Sequence, residues 1–573
     1  MKYRLAYLLL SFAALPFTKC SQSHGTTTHH MAFEYREIYL PERFDTEMHE
    51  LWLENVDMDW ALWGHSLARI LPDNPSRSVY ATINGHSNDE QFCFSSDQLY
   101  KYIVKYITDN FGEKKPERFA ILPNDNALVC QCEQCRAKGC KTDDAAPAVQ
   151  FMLERLAHRF PKHMFFTSSY LTTRSVPSQT MPENTGVLIS AMEYGLCTKA
   201  TPQEEEFRQL LAKWGNVTKH IYVWDYINNF DDYITPFPIF TIMQRRFKLY
   251  QEAGVTGIFL NGSGDENSTF SRLKLHILAA LLENPSIDWR TLLIQKCQEL
   301  YPVTGDCIAK YILSQEDMVE INGKILPLYQ GVAVARDIYL DEESFIRFHN
   351  RLGELLPQAR GKEAQEIALL YKALMLTRLE INRLRADITG CAPMLEELQQ
   401  AAESGLRIYS ESFWTIDNYI KDYRAMLAEA KVMQPKNRLQ GEILTALTPL
   451  DEEYRDISIL TDGLVGLPSN YHCGHLISSA DPELKIAIPS NKGIRRLHIE
   501  LVYNVQFHIA LPANVTLKAG DKEIASIQPH PTDIHGRYVA ELDVPANVAG
   551  TLVLTIVRNK EERTMAIDEI MGL

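Results

Sequence analysis

Short β-rich runs alternate with amphipathic helical stretches from residue 33 to residue 283, and this alternation limits the fold more than any single motif does. The strand-like runs fall at 33–39, 61–67, 78–85, 118–124, 163–170, 186–194, 220–226 and 257–262. Helical stretches at 96–112, 146–160, 203–215, 238–253 and 268–283 separate most of them. Within 146–160 the apolar residues recur three and four apart, the spacing of a helix with one buried face. Such a succession builds a parallel sheet with helices on its outside, and eight units predict an α/β fold, a (β/α)8 TIM barrel. Residues 40–60 offer only a poor helix. The competing arrangement is an open doubly wound sheet, but no glycine-rich phosphate turn follows the first strand.

The pattern then changes twice. From about 305 the strand signal stops and long helical periodicities take over, at 364–388 and 394–433. From about 445, short strands broken by Pro, Gly and Asn read as a β-sandwich. The expected organisation is a leader at 1–24, a catalytic barrel at 25–304, a helical domain at 305–440 and a sandwich at 441–573. The leader has Lys2 and Arg4, an apolar stretch from Leu5 to Phe17, and Cys20 in the position of a bacterial lipoprotein's lipidated cysteine. That predicts an exported lipoprotein on the outer membrane or cell surface, with the periplasm as the alternative. No later segment has the run of apolar residues that a membrane-spanning helix needs. The net charge of −15 and the lack of a basic stripe exclude a nucleic-acid partner.

In a barrel the chemistry gathers at the C-terminal ends of the strands. The polar groups there are His65, Asn84, His86, Asn124, Asp125, Tyr170, Glu193, Trp224, Asp225, Tyr226, Asp265 and Glu266. Carboxylates, amides and aromatics dominate, with no serine elbow and no Walker lysine. Carboxylates beside aromatic faces suit glycoside hydrolysis, in which one acid protonates the leaving oxygen and a second group stabilises or attacks the anomeric centre. No cofactor is required. An aspartate at a strand end also serves as a helix cap or loop brace. Asp225, between Trp224 and Tyr226, is the stronger of the aspartates as a site residue, and Glu193 is similar. His86 reads better as a rim histidine, and Tyr471, His472 and His475 are candidate surface-binding residues of the sandwich.

Four of the eleven cysteines, Cys130, Cys132, Cys135 and Cys140, are spaced C-x-C-x2-C-x4-C behind Asn124-Asp125. They predict a structural role, either as zinc ligands or as two disulfides.

The stretch "ILPNDNALVCQCEQCRA", together with "VWDYINN", "TPFPIFTIMQRRFKLYQEAGVTGIFLNGSG" and "LKLHILAALLENPSIDW", resembles the bacterial DUF4838 family, part of which is classified as glycoside hydrolase family 163. "ILTDGLVGLPSNYH" and the terminal "MAIDEI" are similar to the discoidin-like sandwiches of bacterial glycosidases. The resemblance implies an endo-β-N-acetylglucosaminidase that cuts the GlcNAc-GlcNAc core of complex-type N-glycans, with an N-glycan oligosaccharide or glycoprotein as partner. It implies a substrate-assisted, retaining reaction. Asn124 would orient the acetamido group and Asp125 would be the acid/base, with Glu193 the second candidate acid and Asp225 the group that stabilises the intermediate. His65, Tyr170, Trp224, Tyr226, Asp265 and Glu266 would line the substrate. Two other readings stay open. One is a glycosidase for uronic acid or terminal hexosamine, in which Arg174 would hold a uronate. The other is a glycan-binding lipoprotein without activity.

Overall fold

A computed structural model of the chain describes residues 31–573 except 452–453, 490–492, 532–534, 547, 549 and 560–563. The leader and Cys20 lie outside the described residues. No helix among the described residues is long and apolar enough to cross a membrane.

The N-terminal half contains strands β1 (Tyr35–Tyr39), β2 (Tyr80–Ile83), β3 (His86–Phe92), β4 (Arg118–Ala120), β5 (Met164–Ser169), β6 (Thr185–Ser190), β7 (His220–Tyr226) and β8 (Gly257–Asn261). Six of them form one curled parallel sheet, in the order β1-β8-β7-β6-β5-β4. β5 to β8 are buried along nearly their whole length, as expected of parallel strands covered on both faces. Their side chains alternate between two clusters. Tyr35, Phe166, Leu188, Tyr222 and Phe259 fill the concave side, with Tyr35 stacked on Tyr222 at 5.2 Å. Ile38, Phe165, Val187, Val223 and Ile258 pack outward against the helices.

The expected second and third barrel strands do not form, so the sheet is a curled half-barrel and not an eight-stranded closed one. The run 61–67 gives the sheet only Ala61 and Leu62, which exchange backbone hydrogen bonds of 2.9 and 2.8 Å with Arg118 and Ala120. It ends because Gly64 turns left-handed, at φ 61°. The run 78–85 reverses at Asn84 and Gly85, both at positive φ, which is the demand of a tight two-residue hairpin turn. β2 and β3 therefore pair antiparallel in a separate two-stranded sheet, with Asn84 and His86 exposed at its tip. Between β1 and the Ala61 segment the chain forms two short helices, Asp45–Glu50 and Val56–Asp59, and is tied to β1 by Glu54 N–H donating to Arg36 O at 2.9 Å.

Helices from Gly305–Asn322 to Ile416–Met433 make up the middle of the chain. They lie against the segment that follows β7. Phe230 N–H donates to Leu328 O, Tyr233 N–H to Tyr409 O and Glu411 N–H to Phe230 O, at 2.7, 2.8 and 2.7 Å. In the C-terminal part, one antiparallel sheet runs 476–478, 565–572, 496–504, 535–543, and a second runs 522–527, 514–519, 551–557, 483–489, 445–446. Leu497, Ile499 and Ile567 from the first share a core with Ile486, Leu517 and Leu554 from the second.

Glu569 accepts from Asn437 Nδ2 at 2.9 Å and Asp568 from Gly466 N–H at 2.9 Å, so the terminal acidic pair staples the incoming chain to the last strand. His472 and His475 are buried at this junction. His472 Nε2 meets Asp231 Oδ2 at 2.7 Å and its Nδ1 meets Tyr454 Oη at 3.0 Å. These two histidines brace the parts of the molecule and are not a surface for glycan; Tyr471, half-buried, packs on Trp414 beside them.

Candidate active site

Period-two alternation along a strand decides which side chains reach the concave face. On β7, Tyr222, Trp224 and Tyr226 face inward. Trp224 stacks on Trp63 at 5.1 Å with 14° between the rings, and Phe259 meets its edge at 4.7 Å. These rings make an aromatic floor at the C-terminal end of the sheet. Tyr226 stands beside them, its hydroxyl 3.2 Å from Ser190 Oγ.

Asp225 falls on the opposite parity and faces the helix Phe240–Glu252. It is fully buried. Arg246 Nη1 and the Tyr250 hydroxyl each donate to it at 2.5 Å, and Tyr226 N–H at 2.9 Å. Arg246 also donates to the carbonyls of Tyr194 and Gly195 at 2.6 and 3.0 Å. No substrate reaches Asp225; it is one half of a buried ion pair that locks the helix and the turn after β6 onto the sheet. The expectation that it stabilises an intermediate is therefore withdrawn.

Asp125, beyond the end of β4, is exposed. Its neighbours are held by the β2–β3 hairpin. Gln91 Oε1 accepts from Asn124 N–H at 3.0 Å, and Gln91 Nε2 donates to Asn124 O at 3.1 Å and to Asn126 Oδ1 at 2.9 Å. Both Asn124 and Asn126 donate their amides to Glu90 O at 2.8 Å. Asn124 thus commits its backbone and one of its two amide hydrogens to the hairpin, which fixes the turn that carries Asp125. Asp125 alone projects from the turn, and its charge acts on the Tyr170 phenol at the end of β5. Burial, and next the Asp125 charge, push the Tyr170 phenol up to about 12. His65 sits beside them, its Nδ1 donating to Pro123 O at 2.6 Å and its ring 6.1 Å from that of Tyr170.

Glu193 lies in the turn after β6 and is ion-paired with Arg174, both half-exposed. With Ser169, Tyr170, Ser190 and Tyr194 they line a cavity of about 90 Å³. Asp265 and Glu266 lie in the loop after β8. Burial and then Asp265 raise Glu266 above the usual carboxyl range, and burial and then Asp265 raise Tyr39 at the end of β1. Asp125, Tyr170, Glu193, Trp224, Tyr226, Asp265, Glu266 and His65 are thus all on the C-terminal side of the sheet; Asp225 lies at the same end but faces the helix and not the mouth.

One carboxylate at this mouth comes from far along the chain. Glu411 lies in the loop between the helices Cys391–Glu403 and Ile416–Met433, where its backbone N–H is anchored on Phe230 O at 2.7 Å. The Tyr329 hydroxyl donates to its Oε2 at 3.0 Å. Desolvation, followed by the charges of Asp231 and Asp125, raises its pKa in spite of the Tyr329 hydrogen bond. Tyr170, Tyr226 and Tyr233 all sense its charge. Its only local mark is its place between aromatic residues in "YSESFW", inside a region otherwise helical.

The cysteines behind the Asp125 turn are free thiols, not disulfides. The four sulfurs that come together are those of Cys93, Cys130, Cys132 and Cys135, all within 4.8 Å of one another. Cys140 is outside this set, with its sulfur 3.8 Å from Ala145 O.

Among solved structures, the chain is similar to a family GH115 4-O-methyl-alpha-glucuronidase with specificity for decorated arabinogalactans, at 12% identity and a TM-score of 0.33, over 83% of this chain and 66% of that one. It is similar to a GH138 enzyme targeting pectin rhamnogalacturonan II, at 8% identity and a TM-score of 0.30, over 83% and 76% of the two chains. A third likeness is to the C-terminal domain of a chitobiase from Bacteroides fragilis, at 18% identity and a TM-score of 0.17, over 24% of this chain and 95% of that one. At these scores none of the three bears on the fold or activity of this chain. No curated protein matches it. Residues 22–313, just over half of the sequence and the whole of the curled sheet, match the family described as domain of unknown function DUF4838, and the chain belongs to that family.

Proposed function

We propose that the protein is a glycoside hydrolase and that it cleaves the GlcNAc-GlcNAc core of complex-type N-glycans as a retaining, substrate-assisted endo-β-N-acetylglucosaminidase. The observation that carries the reading is a mouth with two carboxylates, Asp125 and Glu411, in which burial and then the charges of Asp231 and Asp125 raise Glu411, beside the partly exposed rings of Trp63 and Trp224. Aromatic faces of this kind stack on sugar rings, and two acids in unlike surroundings can divide the proton work.

In this reading Glu411, kept protonated to higher pH, gives its proton to the glycosidic oxygen as the bond to the anomeric carbon breaks. The acetamido oxygen of the substrate forms the new bond to that carbon. Asp125, near the Tyr170 phenol, accepts the acetamido N–H and stabilises the positive oxazolinium. Water then opens the ring, and its proton returns to Glu411. Asn124 and Gln91 place Asp125 through the hairpin. The N-glycan assignment itself rests on the resemblance to glycoside hydrolase family 163. The mouth's charge weighs against a uronate, because Asp125, Glu193, Asp265, Glu266 and Glu411 are acidic and Arg174 is already paired with Glu193. We place the enzyme at the bacterial cell surface, exported by residues 1–24 and anchored through Cys20.

The test is to incubate the protein with a glycoprotein bearing complex-type N-glycans and to weigh both products. The reading expects a protein that keeps one HexNAc and a released glycan one HexNAc shorter. Uncut glycoprotein, with cleavage of uronate or terminal-hexosamine substrates in its place, would overturn the linkage; binding without any cleavage would overturn the activity.

A further inference from the structure

We propose that Cys93, Cys130, Cys132 and Cys135 hold one zinc ion, which ties the β2–β3 hairpin to the loop that carries Asp125. The inference stands whether or not the protein is a glycosidase. Three features of the cluster point to an ion at its centre.

The first is spacing. Cys93 Sγ is 3.7 Å from both Cys132 Sγ and Cys135 Sγ, and all four sulfurs lie within 4.8 Å of one another. Zinc–thiolate bonds of about 2.3 Å in a tetrahedron put the sulfurs about 3.8 Å apart. A disulfide needs about 2.05 Å. The sulfurs are thus set at the edge length of a tetrahedron around a small soft cation, and are too far apart for covalent pairs.

The second is the outer layer. Thr82 N–H donates to Cys130 Sγ at 3.3 Å and Cys135 N–H to Cys132 Sγ at 3.4 Å. Backbone donors aimed at sulfur stabilise thiolate, the form that binds metal, and fix the ligands in place. The third is closure. Cys93, Cys130 and Cys135 are buried and Cys132 is half-buried. Four protein ligands complete a tetrahedral shell, which leaves no position for water or substrate and makes the ion structural.

The ligands come from separate stretches: Cys93 follows β3, Cys130 and Cys132 lie in the loop after β4, and Cys135 is in the helix Glu133–Ala137. The ion would therefore bind together the two segments whose Gln91 and Asn124 set the position of Asp125. Four apolar-packed thiols would fill the same space, but they would not call for N–H donors on their sulfurs. Cys140 has no part in the shell.

The experiment measures zinc and iron by elemental mass spectrometry in the leaderless full chain, purified without a polyhistidine tag or chelator, with thiols counted by alkylation before and after unfolding in chelator. The proposal expects one zinc per chain in the wild type and in Cys140→Ser, alkylation of Cys93, Cys130, Cys132 and Cys135 (located by peptide mapping among the other buried cysteines) only after unfolding in chelator, and under about 0.1 equivalents of zinc in Cys93→Ser. If Cys93→Ser fails to fold, the wild type and Cys140→Ser decide alone. Metal-free wild type with reactive thiols or with the mass of two disulfides would overturn the proposal. So would loss of zinc from Cys140→Ser, or iron in place of zinc.

Discussion

Asp125 beyond β4 and Asp225 within β7 are both aspartates in aromatic company at the same end of the sheet, and they differ in the side they face. Asp225 lies between two inward residues, so strand alternation turns it outward, where Arg246 and Tyr250 take both its oxygens. Asp125 lies past the regular strand, in a turn whose other polar groups are held by Gln91 and Glu90, and it alone remains open to solvent. The same residue type therefore serves the fold in one place and is available for chemistry in the other. Parity and what the neighbours bind decide which.

Several substitutions break or sharpen that contrast. Asp225→Asn leaves Arg246 buried without its counter-charge, so the folded state should lose about 3–5 kcal/mol, read as a lower urea midpoint. Asp125→Asn should leave that midpoint within about 0.5 kcal/mol of wild type. Glu411→Gln should lower the rate of glycan release about 100-fold or more. Glu411 must be protonated to donate, so wild-type kcat/KM should fall as pH rises through its raised pKa, and that limb should vanish in the variant. Tyr170→Phe removes the phenol beside Asp125 and should lower the release rate about 10-fold, or ~1.4 kcal/mol.

A further effect concerns a fourth carboxylate, which is buried without a counter-charge. Glu37 on β1 accepts from the Tyr35 hydroxyl and from Val56 N–H, and burial pushes it up to about 8. It binds a proton more tightly folded than unfolded. Stability is therefore full below the ordinary carboxyl value of 4.5 and is lost as pH rises to about 8. Glu37→Gln should flatten that slope by at most about 1.4 kcal/mol per pH unit, as seen in urea midpoints across the range.

The runs that become β4 to β8 are legible in the sequence because strands buried on both faces read as unbroken apolar segments. The runs at 61–67 and 78–85 mislead for a specific reason. Each has strand-like composition, but Gly64 and the pair Asn84-Gly85 change the chain's direction, and Asn-Gly is itself a hairpin signal that an alternating β/α reading passes over. That missed hairpin carries Gln91 and Cys93, so the support of Asp125 and the fourth cysteine were hidden with it. The aromatic flanks of Asp225 suggest a site residue, but they also fix its parity: with Trp224 and Tyr226 inward, Asp225 faces outward. Glu411 could not be found locally, since only the docking of the helical region on Phe230 and Leu328 brings it to the mouth.

The most direct test of the account is the rate at which folded Asp125→Asn releases a complex-type N-glycan from a glycopeptide, measured beside the wild type at equal urea stability. The account predicts a drop of about 100-fold or more with no change in the urea midpoint. A stable variant that releases glycan at the wild-type rate would contradict it, and would remove Asp125 from the chemistry.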